Sequence, residues 1–202
     1  MSIAAEHKTT KRDQIIEAAK AEFHENGFAG ASMDRVSERA GASKRTVYRY
    51  FESKEALFRA LIEEHWAQFA ETLDVSYRRG VDIRDQLAAI GWAEGRLFMS
   101  PSVMATTRMI MSELLRTPAL ADEDQKKTDY GAALAVLLAD AARDGQLALD
   151  DPQTAADEFI GLLKAKAFWP VVLGAPVLDA AAMRQVIDSS VEMFMSRYGR
   201  AA

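Results

Sequence analysis

Residues 32–58, SMDRVSERAGASKRTVYRYFESKEALF, constrain this chain more than any other part of it. They predict two short helices joined by a tight turn, with a third helix starting directly after them. Ser32 and Ser43 can each cap a helix, because a serine oxygen accepts a hydrogen bond from an otherwise unpaired backbone N–H. Gly41 stands in the turn, where a helix end favours a residue that tolerates the left-handed conformation. A helix–turn–helix of this kind can place its second helix in the major groove of DNA.

The second of these helices would present a basic and polar face. At about 100° per residue, Val47 and Phe51 share one apolar face, and Arg45 and Arg49 point away from it. Arginine suits guanine in the major groove, whereas hydroxyl and ammonium groups suit phosphate oxygens. On an isolated helix such a face is usually only solvated, but the turn, the caps and the helix that follows favour contact with DNA. The side chains that flank the arginines are Lys44, Thr46 and Tyr48.

Charge is unevenly distributed along the 202 residues. Residues 1–60 contain 11 Lys and Arg against 9 Asp and Glu, which gives a net charge of +2. Residues 61–202 contain 14 against 21, which gives a net charge of −7. A slightly basic first part on an acidic remainder predicts a local contact with DNA rather than a protein that coats nucleic acid.

Several kinds of site are excluded or unsupported by the residues present. The chain has no cysteine, which excludes disulfides, cysteine nucleophiles and zinc–thiolate sites. Its three histidines share no metal-ligand spacing, and no catalytic triad, phosphate loop or carboxylate pair stands out. We therefore expect no enzyme, no catalytic residue, no metal and no cofactor. Without a signal peptide or a run of apolar residues that could span a bilayer, the chain is predicted to be cytoplasmic and to have no membrane partner.

Helical periodicity extends over nearly the whole chain, and no segment alternates as a strand does. We predict an all-α fold of about nine helices, with a first domain over residues 9–55 and a second over 56–202. The helices are expected at about 10–26, at 32–40, from 43, from 53, at 82–99, from 101, at 123–143, at 152–173 and at 179–198.

The first domain resembles the DNA-binding domain of the tetracycline-repressor (TetR) family. The resemblance covers about residues 10–58 and rests on Ser32, Val36, Ala40, Gly41, Ser43, Thr46, Val47, Tyr48, Tyr50, Phe51, Lys54, Glu55 and Leu57. The stretch from Arg108 to Gly174 is similar to the AcrR-like subgroup, which is often linked with the control of efflux. Arg45 stands where the family often has a small residue, and this leaves the operator sequence open.

The resemblance implies which residues contact DNA. It implies base contacts from Lys44 and Arg45, and helix geometry adds Arg49. Ser43, as the cap of the same helix, is counted with them. The phosphate contacts that it implies come from Ser32, Thr46, Tyr48, Tyr50 and Lys54.

The family also implies a homodimer built from the last two helices of each subunit. The last helix carries an apolar stripe, and the helix before it is apolar almost all round. Such a helix is buried on both sides, with its own core on one side and a partner on the other. The expected interface residues are Phe159, Leu163, Ile187, Val191, Phe194 and Tyr198.

Methionine and aromatic residues are abundant in the second domain. Methionine adapts to irregular ligands, although any one of these residues taken alone is more often ordinary core. Together with the resemblance they predict a cavity for a small hydrophobic effector, lined by Trp66, Phe69, Trp92, Phe98, Met104, Met109, Met111, Phe168 and Trp169. For Glu94 a surface or salt-bridge role is the favoured interpretation, and contact with a cationic ligand is the alternative.

We therefore predict a ligand-responsive transcriptional regulator. It would act as a repressor that a small hydrophobic effector releases from a palindromic operator in double-stranded DNA. A helical DNA-binding dimer without an effector is one alternative. A small helical enzyme that merely contains a helix–turn–helix is another.

Overall fold

The structure is a computed structural model of the chain and describes residues 10–71, 75–120 and 130–200, with the side chains of the first range described as far as residue 67. Its regular elements are helices, with one isolated backbone bridge between Leu147 and Gly199 in the described ranges, so the predicted all-α fold is confirmed. The expected start of the seventh helix near residue 123 lies outside the described residues. The helices are α1 (Lys11–Gly30), α2 (Met33–Arg39), α3 (Lys44–Tyr50), α4 (Lys54–Glu71), α5 (Ile83–Phe98), α6 (Pro101–Arg116), α7 (Tyr130–Arg143), α8 (Pro152–Ala167), α9 (Trp169–Val172) and α10 (Ala180–Tyr198).

Side chains cap the helices where the sequence predicts that helices start. The Ser32 Oγ accepts a hydrogen bond from the Arg35 N–H (3.2 Å), and the Ser43 Oγ accepts one from the Thr46 N–H (3.1 Å). Each bond pairs a backbone donor that the first turn of a helix leaves without a partner. The side chains that cap α5, α8 and α10 in the same way are Asp82, Asp151 and Asp179.

The eighth helix is shorter than the sequence predicts. The sequence predicts that this helix continues to about residue 173, but α8 ends at Ala167 and the short helix α9 starts at Trp169. Pro170 explains the break, because proline has no N–H to donate and its ring clashes with the preceding turn of a continuous helix.

The helices form two compact units. The N-terminal unit contains the described residues as far as His65 and residues 109–120. The C-terminal unit contains the described residues from Trp66 to Arg108 and residues 130–200. Helices α4 and α6 therefore contribute residues to both units, and the predicted domain boundary after residue 55 stays a prediction. In the part of the chain that the structure describes, no helix is both long enough and apolar enough to cross a membrane.

The N-terminal unit has an aromatic and aliphatic core. Phe23, Phe28 and Phe58 contact one another, with ring centroids between 5.0 and 5.8 Å apart. The helix–turn–helix adds two buried side chains, Val36 from α2 and Val47 from α3. Because these contacts involve only one side of α3, its opposite side remains exposed.

A buried carboxylate joins α1 to α2. Glu22 is fully buried, and its carboxylate accepts hydrogen bonds from the Arg35 Nε (2.6 Å), the Arg39 Nε (3.2 Å) and the Ser32 N–H (3.3 Å). Arg39 also pairs with Glu25 at the surface. A buried carboxylate needs such partners, because burial alone strongly disfavours its charge.

The partners of Glu22 keep its carboxyl ionised. Burial by itself raises the pKa of this group, but the hydrogen bonds from Arg35 and Ser32 and the charges of Arg35 and Arg39 outweigh it, so the pKa lies below its ordinary value of 4.5. A pKa that is lower in the folded than in the unfolded state gives stability that is present above the unfolded value and is lost as the pH falls through the folded value. The attachment of α2 to α1 should therefore weaken in acid.

The C-terminal unit packs α5, α7, α8 and α10 around one apolar core. Two glycines let α5 approach α10 closely. A Cβ atom at Gly91 would lie 3.1 Å from a side-chain carbon of Ile187, and one at Gly95 would lie 2.9 Å from the Met183 sulfur. Larger residues at either position would require α10 or its side chains to move.

The dimer interface that the sequence predicts corresponds mainly to core in this unit. Each helix has to bury one apolar face inside its own subunit, and the predicted residues supply that face. Tyr198 is half-buried, and its ring centroid lies 4.9 Å from that of Phe194. The predicted interface stays a prediction, and a partner subunit would contact the surface that these residues leave exposed on α8 and α10. The residues that are buried within the single chain are Phe159, Leu163, Ile187, Val191 and Phe194.

We predict that Glu22→Gln destabilises the fold more than Glu25→Gln does. Glutamine keeps the shape of the buried side chain but removes the charge that pairs with two arginines, so the free energy of unfolding should fall by about 1–3 kcal/mol. Glu25→Gln removes only an exposed ion pair, which solvent screens, and should have little effect. Urea unfolding of the full chain at pH 7, followed by circular dichroism, measures both changes.

The difference between the wild type and Glu22→Gln should also shrink as the pH is lowered below 4.5, because the Glu22 carboxylate is then progressively protonated. Equal losses for the two variants at pH 7, or a difference that does not change with pH, would show that Glu22 does not hold α2.

Candidate DNA-binding site

Hydrogen bonds from the backbone and from α1 hold the turn between α2 and α3. Gly41 has a φ of +54°, the left-handed conformation that the sequence predicts for it. The Ala42 N–H donates to the Ser37 carbonyl at 3.0 Å. Lys11 of α1 donates to the carbonyls of Ala40 (2.8 Å) and Gly41 (3.3 Å). Residues outside α3 therefore set the direction in which α3 leaves the turn.

Helix α3 is buried on one side and open on the other. Val47 is fully buried, and Phe51, just after the helix, is buried as well. Arg45 and Arg49 are exposed on the opposite side, and Tyr48 is 49% exposed. Two guanidinium groups and a phenol hydroxyl can donate hydrogen bonds to base edges and to phosphate oxygens.

The basic side chains of α3 differ in the contacts that they make within the protein. The Lys44 Nζ lies 2.6 Å from Oδ2 of Asp34 in α2, but both side chains are exposed, so a phosphate could readily replace this ion pair. The Arg49 guanidinium lies 5.4 Å from the ring centroid of Tyr50, which is 41% exposed. No described residue forms an ion pair with Arg45, which leaves its guanidinium available to a base.

The predicted hydroxyl contacts come partly from residues that also cap helices. Ser32 is half-buried at the start of α2. Ser43 and Thr46 share a hydrogen bond of 2.8 Å between their hydroxyl oxygens. A serine hydroxyl that accepts from a backbone N–H keeps its own proton, which it can donate to a phosphate oxygen. Capping α2 or α3 and contacting DNA are therefore compatible.

Lys54 has a structural role that the sequence does not predict. Its ammonium donates to the carbonyls of Phe28 (2.7 Å), Ala31 (3.3 Å) and Ala29 (3.4 Å), and it lies 4.6 Å from the Phe28 ring centroid. These carbonyls lie at the C-terminal end of α1, where a cation is favourable. The side chain fastens α4 to α1, and the phosphate contact that the resemblance implies would have to replace these bonds.

The residues predicted to line an effector cavity do not all belong to one unit. Met109 and Met111 belong to the N-terminal unit, and the side chain of Phe69 lies outside the described residues. In the C-terminal unit Met104 is fully buried in the core, and Trp66 is half-buried.

The remaining predicted cavity residues are aromatic and belong to the C-terminal unit. The Phe98 and Phe168 rings are buried, with their centroids 5.3 Å apart, and Trp169 packs on Phe168 at 5.1 Å. Trp169 is 46% exposed. Trp92 is half-buried, and the Arg184 guanidinium lies 5.4 Å from the centroid of the Trp92 ring. The structure thus brings together Phe98, Phe168 and Trp169, which we call the aromatic cluster.

Two buried polar groups of the same unit have no hydrogen-bond partner in the part of the chain that the structure describes. They are Oε2 of Glu94 and the hydroxyl oxygen of Tyr130. Burial raises the pKa of Glu94 to about 7, although the charge of Lys164 opposes this in part. Burial also raises the pKa of Tyr130, and the charge of Glu94 adds to the effect. The surface or salt-bridge role that the sequence favours for Glu94 is wrong, because the side chain is buried and forms no salt bridge with a described residue, and the sequence gives no signal for Tyr130.

The outward faces of α8 and α10 form a groove of about 310 Å³. Met193 is 53% exposed in this groove, and Leu162 is half-buried. Glu158 accepts a hydrogen bond from the Tyr198 hydroxyl (2.7 Å) and pairs with the Arg197 Nε (3.3 Å). An exposed apolar groove with charged edges is the kind of surface that proteins use for contact with other proteins. Its lining residues are Glu158, Gly161, Leu162, Met193, Phe194, Arg197 and Tyr198.

Two family models match the chain. Residues 15–61 match the bacterial regulatory proteins of the tetR family. Residues 85–200 match the C-terminal domain of AefR-like transcriptional repressors. Membership of the AcrR-like subgroup stays a prediction.

Individual relatives are transcriptional repressors. The chain is 30% identical over 174 residues to the HTH-type transcriptional repressor SCO4008 of Streptomyces coelicolor, which is 85% of this chain and 83% of that protein. It is 40% identical over 74 residues to the HTH-type transcriptional repressor AcnR of Corynebacterium glutamicum, which is 36% of this chain and 39% of that protein.

Solved structures of regulators share the fold. A TetR family transcriptional regulator from Pseudomonas syringae has a TM-score of 0.78 and 32% identity, covering 98% of this chain and 100% of that one. The Flavonoid-responsive Regulator FrrA has a TM-score of 0.76 and 32% identity, covering 95% of this chain and 98% of that one. These similarities confirm the predicted fold and the prediction of a regulator rather than an enzyme. The chain belongs to the TetR family of transcriptional regulators, which bind DNA through a helix–turn–helix.

Proposed function

We propose that this regulator represses transcription by placing α3 in the major groove of a palindromic operator. The observation that carries the proposal is the exposed basic face of α3, whose opposite face Val47 anchors in the core. Repression is the direction that the names of the relatives SCO4008 and AcnR support. Because a repressor acts where the chromosomal DNA is, we also propose that the protein works in the cytoplasm.

The side chains of α3 and of the serines that cap α2 and α3 would have two roles: some would contact bases, and the others would contact phosphates and position the helix. Arg45, exposed and without an ion pair to a described residue, would donate to guanine O6 and N7. Lys44 would break its ion pair with Asp34 and contact the DNA instead. The residues that would donate to phosphate oxygens and position the helix are Ser32, Ser43, Thr46, Tyr48 and Tyr50, with Arg49 facing the groove.

The homodimer that a palindromic operator requires would form through the outward faces of α8 and α10. Leu162 and Met193 offer apolar surface there that the subunit itself does not cover. Glu158 and Arg197, which now pair with each other, would form the polar rim. Two helix–turn–helix units related by a two-fold axis would then bind successive major grooves, about 34 Å apart.

A small hydrophobic effector would bind in the C-terminal unit and lower the affinity for the operator. The aromatic cluster and the two unpaired polar groups support this location, and so does the similarity to FrrA, which is named as flavonoid-responsive. The effector can shift DNA binding by no more than the difference between its affinities for the two states of the protein. Such coupling is typically about 1–3 kcal/mol.

We predict that Arg45→Ala relaxes specificity at one position in each half-site. Loss of a bidentate contact should reduce the preference for guanine there by roughly 5- to 150-fold. Competition binding with single-base variants of the operator, measured by fluorescence anisotropy, gives this preference. Arg84→Ala, which removes an exposed arginine of α5, is the matched control and should leave the preference unchanged. If Arg45→Ala weakens binding to operator and random DNA equally, Arg45 contacts phosphate and not a base.

We predict that Met193→Glu converts the dimer to monomers. A carboxylate would be buried against its two-fold mate in the groove, and an unpaired buried charge is strongly unfavourable. Sedimentation velocity at micromolar concentration should show a dimer for the wild type and a monomer for the variant, which should also lose affinity for the palindromic site. Val136→Glu changes another exposed apolar residue, 61% exposed on α7, and should remain dimeric. A monomeric wild type, or a dimeric Met193→Glu, would place the interface elsewhere.

A further inference from the structure

Two polar atoms in the C-terminal unit are enclosed by protein and unpaired. Oε2 of Glu94 in α5 and the hydroxyl of Tyr130 at the start of α7 have no hydrogen-bond partner among the described residues. Glu94 as a whole is only 3% exposed. Burial raises the pKa of the Tyr130 hydroxyl, and the charge of Glu94 acts in the same direction. Because nearly all buried polar groups in folded proteins are paired, two unpaired ones in the same unit require an explanation.

Other buried polar side chains of this unit form hydrogen bonds within the protein. The Gln86 side chain accepts from the Arg78 N–H (2.8 Å) and donates to the Val81 carbonyl (2.9 Å). The Ser190 hydroxyl donates to the Val186 carbonyl at 2.7 Å. The unpaired state of Glu94 and Tyr130 is therefore local. A group that is unpaired in the free protein and paired in a complex favours the complex.

The surroundings of Glu94 favour an aromatic ligand. Ile90 and Phe98 are buried one turn before and one turn after it on the same face of α5. Phe98 contacts Phe168, and the Lys164 ammonium lies 5.9 Å from the Phe168 ring centroid. Edge and offset contacts between aromatic rings stabilise a complex beyond the apolar area that they bury.

The charges near Glu94 disfavour an ionic ligand. Burial raises the pKa of Glu94 to about 7, so the carboxyl is only partly ionised at neutral pH. The charge of Lys164 reaches the same carboxyl, and it would repel a cation placed beside it. A ligand anion would in turn be repelled by the ionised fraction of Glu94. A neutral ligand avoids both costs.

Hydroxyl groups on a ligand could pair both atoms. A hydroxyl can donate its proton to Oε2 of Glu94, and a hydroxyl oxygen can accept the proton of the Tyr130 hydroxyl. An ammonium has no lone pair to accept the Tyr130 proton, and an ether or carbonyl has no proton to donate to the ionised form of Glu94. An aromatic ring that carries a hydroxyl group therefore fits the polar and the apolar surroundings together.

We propose that Glu94 and Tyr130 form the polar end of the effector site and that the effector is a neutral aromatic compound with a phenolic hydroxyl group. The proposal rests on the proposed function, because it names the ligand class of that regulator. It makes these two residues the hydrogen-bonding partners of the phenol, with the aromatic cluster beside its ring.

Calorimetric titration of the full-length protein without DNA tests the ligand class. The probes are apigenin, which has three phenolic hydroxyls, its tri-O-methyl ether, which has none, and the lipophilic cation tetraphenylphosphonium. We expect apigenin to bind the wild type at least about tenfold more tightly than either of the others, since each buried hydrogen bond contributes about 0.5–1.5 kcal/mol.

Substitutions of the two residues test the assignment. Tyr130→Phe and Glu94→Leu should each weaken apigenin binding by about five- to tenfold and leave the affinity for the ether unchanged. Neither should lower the melting temperature of the free protein, because each removes an unpaired polar group. Glu94→Gln keeps an acceptor oxygen and should retain more affinity than Glu94→Leu.

Tyr77→Phe is the matched control in the same unit. The Tyr77 hydroxyl donates to Asp144 (2.8 Å) and accepts from Gln146 (2.9 Å), so its loss should lower the melting temperature without changing apigenin binding. This pattern is the opposite of the one expected for Tyr130→Phe.

Three results would overturn the proposal. Tyr130→Phe and Glu94→Leu could lower the melting temperature and leave apigenin binding intact, which would make the pair structural. Tetraphenylphosphonium could bind more tightly than apigenin, which would make the ligand a cation. The wild type could fail to bind apigenin at millimolar concentration. The proposed function fails separately, if the wild-type protein selects no DNA site.

Discussion

The hydrogen-bonded carboxylate of Glu22 determines where the DNA-binding helix lies. Helix α3 has seven residues and one buried face, and so short a helix is not stable by itself in water. It takes its position from α2 through a turn that Lys11 pins, and α2 is held to α1 by Arg35 and Arg39 on the buried Glu22. The basic face of α3 can remain exposed because these contacts and the buried Val47, rather than the basic side chains, orient the helix.

The local rules of helix formation made most of the fold predictable. Capping residues such as Ser43 act within one turn of the chain, so the sequence alone identifies them. The glycine in the turn, Gly41, needs only its own backbone conformation. Tertiary partners were not predictable in the same way. Glu22 and Lys54 look like ordinary surface charges in the sequence. Only the packing of α1 against α2 and α4 shows that Glu22 is buried and that the Lys54 ammonium donates to backbone carbonyls.

The pattern of apolar residues identifies which helices are buried, but it does not show which part of the protein, or which partner, covers them. The sequence predicts that α8 and α10 bury apolar residues against their own core and against a partner, but it does not separate the two sets, and Phe159 and Phe194 pack on each other within one chain. The surface left for a partner contains fewer apolar residues, among them Met193, which periodicity alone does not separate from core. Tyr130 shows the same limit, because a lone tyrosine at a helix start carries no signal until its hydroxyl is found buried and unpaired.

Recognition of one palindromic site by two copies of the helix–turn–helix is tested most directly by selecting bound sequences from a random DNA library. The purified full-length protein is used without effector, and the bound fraction is sequenced. We expect an inverted repeat whose half-sites contain guanine and are centred about 10–10.5 base pairs apart, or a multiple of that spacing. Enrichment of a single unpaired half-site, or no enrichment at all, would contradict a dimer that reads DNA through α3.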